Sequence, residues 1–63
     1  MKIEYDKIVD AAYLYVVDDI KGGDAVKTIE LYDNIILDFD KNKKLLGIEI
    51  LNVSKVLEVL VKF

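Results

Sequence analysis

Asp38 and Glu49 are the residues of this chain best placed to do chemistry, with Asp10 as a third candidate. The two fall on adjacent predicted strands, diagonal to one another on one face, and Asp40 continues the row. Paired carboxylates could share a proton, hold a divalent cation through oxygen, or divide the roles of general acid and base. No histidine, lysine pairing or glycine loop supports that use, so a solubilising stripe on a half-buried sheet is the preferred reading. The chain has no Cys and no His, which removes disulfides and the familiar zinc sites. It shows no nucleophile–base set, and Gly22-Gly23 is too short and isolated to cradle a phosphate, so it reads as a connector. No cofactor is expected, and the chain is not expected to be an enzyme.

The elements that position these carboxylates follow from periodicity. Ile3 and Tyr5 alternate with Lys2, Glu4 and Asp6 in a first strand, and Asp6 to Asp10 reads as a turn. Ala12, Leu14 and Val16 form one face of a second strand, with Tyr13, Tyr15 and Val17 on the other. Asp18 to Asp24 is the loosest connection, and a third strand runs from Val26 to Leu31. A three-residue loop, Tyr32-Asp33-Asn34, pairs Leu31 with Ile35 and Ile29 with Leu37. A two-residue loop would set Thr28 and Glu30 against Phe39 and Leu37. The favoured loop is a type I turn closed by Asn34 in the left-handed region. The next hairpin pairs Ile35 with Ile50, Leu37 with Ile48 and Phe39 with Leu46, putting Asp38, Gly47 and Glu49 on the opposite face.

Asn52 reads as an N-cap. Val53, Val56, Leu57, Leu60 and Val61 then make one stripe of a helix, with Glu58 and Lys62 paired on its solvent side. A strand through Leu57, Val59, Val61 and Phe63 is the competing reading.

Composition bounds the rest. Sixty-three residues make one small domain, 1–63, and a chain of this size buries only roughly 60% of the surface it exposes when unfolded. Yet 54% of it is hydrophobic, so some apolar surface is expected to face another chain. Few amides, no Pro and a single Met resemble a heat-adapted or AT-biased composition. All nine basic residues are Lys, and the net charge is −3. Without the bidentate fork of Arg and with acidic balance, a nucleic-acid partner is not expected; Lys41, Lys43 and Lys44 read as a solvated loop tip. The longest apolar run, Ala11 to Val17, is far short of the ~20 residues that cross a membrane. With no signal-peptide core after Met1, a cytoplasmic protein is expected.

Several segments together carry a resemblance over nearly the whole chain. They are Tyr5-Asp6-Lys7, Asp10 to Leu14, Thr28 to Leu31, Ile36 to Asp40 and Gly47 to Leu51. In these the sequence resembles the domain-of-unknown-function 2283 family, the YuzE-like proteins. It departs from the family at Lys43, where glycine is usual, and at Ala12, where leucine is more frequent. The resemblance implies an α+β fold with a small antiparallel sheet and a C-terminal helix on one face. It implies no established activity, and only an association with small toxin-like partners.

The expectation from residues and resemblance together is a five-stranded antiparallel meander with one helix packed on one face. The other face would carry an interface through Tyr13, Tyr15, Ile36 and Leu51, with Val17 and Leu45 beside them. The expected role is protein–protein interaction, by self-association or antitoxin-like capping of a small partner. A carboxylate-based metal binder or minimal enzyme using Asp38, Glu49 and Asp10 is the alternative.

Overall fold

Five short alternating stretches become strands: β1 (Lys2–Asp6), β2 (Ala11–Tyr15), β3 (Lys27–Leu31), β4 (Ile35–Phe39) and β5 (Leu45–Leu51). Helix α1 (Val53–Leu60) follows, so Leu57 and Val59 lie in a helix and not a strand, while Val61 and Phe63 of the strand reading lie outside the described residues. The computed structural model describes residues 1–60, with helix side chains up to Leu57. The predicted places of the Leu60 and Val61 side chains and the Glu58–Lys62 pair lie outside the described residues. The result is a small α+β fold. Among the described residues no helix is long and apolar enough to cross a membrane.

All strand pairs are antiparallel, but the sheet is not the expected meander. Its order is β1-β2-β5-β4-β3, with the last strand inserted between the second and fourth. Hydrophobicity gives the reason. β5 is the longest strand, with five apolar side chains in LLGIEIL and the buried Leu46 among them. At an edge it would leave its backbone groups unpaired and its side chains wet; in the centre it is covered on both flanks. β1 and β3, the strands richest in charge, form the edges.

The β3–β4 register is the expected one, Leu31 with Ile35 and Ile29 with Leu37. The turn between them differs. Tyr32 (φ 51°) and Asp33 (φ 68°), not Asn34, take the left-handed conformation. Asn34 is used elsewhere: its carbonyl accepts from Leu51 N at 2.8 Å, and its side-chain oxygen accepts from Asn52 Nδ2 at 3.0 Å.

The β4–β5 register also holds for Ile35–Ile50 and Leu37–Ile48, but it shifts between Asp38 and Phe39. Phe39 pairs with Leu45 and not with Leu46, and the extra residue makes a bulge. The Leu46 side chain is buried at 6% exposure, while its carbonyl accepts from Val16 N at 2.9 Å and Val17 N at 3.4 Å. Val16 and Val17 therefore leave the strand ladder, and β2 ends at Tyr15.

The β4–β5 loop hangs on Asp40. Its Oδ1 accepts from Asn42 N at 2.8 Å and Lys44 N at 2.9 Å, and its carbonyl accepts from Lys43 N at 3.0 Å. Asp40 thus serves the turn and does not extend a carboxylate row. Lys43 sits at φ 67°, where a Cβ is unfavourable and glycine is not, which accounts for the glycine usual at this place. Lys43→Gly is therefore expected to stabilise the fold by up to about 1 kcal/mol. The check is a urea unfolding curve whose midpoint rises with unchanged slope.

Candidate interaction site

Side chains alternate between the two faces of a strand, so the pairings assign each residue to a face. One face is polar. On it Tyr13 lies opposite Glu4 and Glu49, Tyr15 opposite Lys2 and Gly47, and Asp38 opposite Thr28 and Gly47. The Tyr13 hydroxyl donates to Asp38 Oδ2 at 2.8 Å, and the Thr28 hydroxyl donates to Oδ1 at 3.0 Å. Burial, and then the adjacent Asp38 carboxylate, push the Tyr13 hydroxyl well above the ordinary tyrosine range. Tyr15 donates to Glu4, which raises its pKa too, and its ring carries the Lys2 ammonium 4.5 Å from the centroid. The two tyrosine rings meet edge to face at 4.8 Å.

Gly47 makes this arrangement possible. A Cβ there would stand 2.6 Å from Tyr13 Cε2, inside van der Waals contact. The mid-strand glycine lets the tyrosine ring lie across β5 and reach Asp38 on β4.

Asp10 closes the other end of the sheet. Held at φ 55°, its carbonyl accepts from Val53 N at 3.0 Å. Its carboxylate accepts from the Ser54 hydroxyl at 2.7 Å, from Ser54 N at 3.3 Å and from the Tyr5 hydroxyl at 2.9 Å. It thus caps the first turn of α1 from forty-four residues away in the chain. The expected capping side chain, Asn52, instead sits at φ 52° with its amide turned to Asn34. The Ser54 hydroxyl, and then Tyr5, hold the Asp10 carboxyl below its ordinary pKa of 3.8.

The second face is apolar. Ile3 and Tyr5 stand on β1, Leu14 on β2, Ile48 and Ile50 on β5, Ile35 and Leu37 on β4, and Ile29 and Leu31 on β3. Lys27 is the one charged strand residue there. Its central strands are half-buried, but its two flanks are open: Ile3 is 69% exposed, Tyr5 53%, Ile29 40% and Leu31 39%.

The structure brings Tyr13, Tyr15, Ile36 and Leu51 to one face, as the pattern predicts, and leaves all four half-buried. Leu45 does not join them, because the bulge makes it the partner of Phe39 on the apolar side. Asp38 and Glu49 share the polar face, while Asp10 lies at the capping turn. Among the described residues no group of three or more Asp, Glu, His or Cys is arranged to hold a metal. The carboxylates of Asp10 and Asp38 are each taken by hydroxyl donors. Ser54 and the open flanks of β1 and β3 were not singled out by sequence. The alternation of Ile3 with Tyr5 and of Ile29 with Leu31 carries the flanks, whereas nothing local points from Ser54 to Asp10.

Comparison with known proteins gives a consistent result. A family model described as a protein of unknown function, DUF2283, matches residues 2–54. The chain is 42% identical over 59 residues to an uncharacterized protein, MJ0789, of Methanocaldococcus jannaschii, a match covering 94% of this chain. It covers 47% of the relative, so the chain spans about half the length of the curated protein it matches. No solved structure matches it.

Three substitutions probe this geometry. Gly47→Ala should displace the Tyr13 ring and destabilise by about 1–3 kcal/mol, while adding it to Tyr13→Ala should cost much less. Chemical denaturation of the two single variants and the double variant measures that coupling. Because the folded Asp10 carboxyl lies below 3.8, its stabilisation is present above that pH and is lost as pH falls through the folded value. Asp10→Asn should melt at a lower temperature near neutrality and lose less helical circular dichroism on acidification.

Proposed function

The chain belongs to the DUF2283 family of proteins of unknown function, and from that premise we propose a protein–protein interaction module, not a catalyst. In this reading its apolar sheet face docks another protein. The observation that carries the proposal is the pair of uncovered flanks, Ile3 and Tyr5 on β1 and Ile29 and Leu31 on β3. We read α1 as sheltering part of the same face. Its eight residues make a rod about 12 Å long, while five strands spaced about 4.8 Å apart spread over about 19 Å. Apolar surface left open on both sides of what the helix shelters is the usual mark of a contact surface.

This places the contact on the opposite side from Tyr13 and Tyr15. Their hydroxyls are engaged by Asp38 and Glu4, so the tyrosine face has already satisfied its polar groups within the sheet. Catalysis finds less support: Asp38 holds a ring position, Asp40 a turn and Asp10 a cap.

A photoreactive phenylalanine analogue placed at Ile29 should cross-link to protein in cells, and the same analogue at Glu49 should not. No protein adduct from position 29, with the chain folded, would end this reading.

A further inference from the structure

We propose that the occupant of the apolar face is a second copy of this chain, set face to face about a two-fold axis. The inference rests on the interaction reading above and names its partner. Surface area is the first argument. A folded monomer of 7.2 kDa is expected to expose about 4,100 Å². This chain exposes 5082 Å², an excess of about 1,000 Å² over that scaling. A standard stable interface buries about 800 Å² on each partner, so the surplus over the whole chain is enough for one dimer contact. The radius of gyration agrees: it is 12.3 Å, against about 10.6 Å for a compact chain of this length.

Charge is the second argument, and it selects the partner. The chain carries net charge −3, so two copies repel unless their carboxylates are kept apart. The fold keeps them apart. Glu4, Glu30, Asp38 and Glu49 belong to the polar face, whereas the apolar face has Lys27 as its one charged strand residue, at the end of β3. Stacking two apolar faces therefore brings no strand carboxylate against another. A small basic partner would need acidic groups on the contact face, and the strands supply none there. The contact is isologous, each copy giving the same flanks it receives.

Sedimentation of the purified full chain at micromolar concentration tests this. The native chain should sediment at twice 7.2 kDa. Ile3→Glu and Ile29→Glu, made separately on the two edge strands, should each weaken the dimer at least about tenfold while keeping the strand signature in circular dichroism. Glu49→Lys, on the opposite face, should leave the dimer intact. A native chain that stays monomeric overturns the inference, as does a dimer untouched by either folded glutamate variant. In the monomeric case the Ile29 cross-link separates the two ideas. An adduct with a different protein keeps the interaction module and removes only the second copy, while no adduct removes both.

Discussion

The placement of β5 between β2 and β4 governs nearly everything else in this molecule. A strand that reads LLGIEIL has apolar side chains on both faces and needs neighbours on both flanks. Once it is central, its glycine lies under Tyr13, its bulge turns Leu45 toward Phe39, and its end brings Val53 to the Asp10 turn. The polar cluster of Tyr13, Asp38 and Thr28 spans β2, β4 and β3, so it exists only because β5 is narrow at Gly47. Backbone pairing sets the frame, and the hydroxyl–carboxylate bonds secure it.

The two faces meet the problem of a small domain in opposite ways. On the polar side each tyrosine lays its ring on the sheet and gives its hydroxyl to a carboxylate from another strand. That satisfies the polar groups internally and leaves little for a partner to add. The other side has almost no polar group to satisfy, and its cost is apolar area left in water. Leu46 and Val53 are the two buried large apolar residues among those described, a meagre core for a chain that is 54% hydrophobic. The balance between the faces, and not any one residue, points outward to a partner.

Much of the fold was legible in the residues. Strand positions, the three-residue spacing at Tyr32–Asn34 and two of the three β4–β5 pairs follow from matching apolar residues across local hairpins. What escaped depends on contacts distant in sequence. Strand order needs the pairing of β2 with β5, and no nearby turn records it. The bulge at Leu46 answers to the carbonyl's two donors, Val16 and Val17, in a segment some thirty residues upstream. Asn52 has the right chemistry for a cap, yet Asp10 takes the free amide from the start of the neighbouring strand β2. The interface candidates share a face, but apolar exposure is greatest on the other one, at the edge strands β1 and β3.

The order of the strands also bears on how the chain is made. Synthesis delivers the β1–β2 and β3–β4 hairpins first, and each must wait for the strand that separates them. Ala11 pairs with Leu51, so the ladder that joins the two halves closes only when forty intervening residues have emerged. Until then two greasy ribbons with bare inner edges sit side by side in the nascent polypeptide, free to pair with the wrong neighbour. Newly made chains on one messenger are therefore most vulnerable to tangling until β5 has emerged.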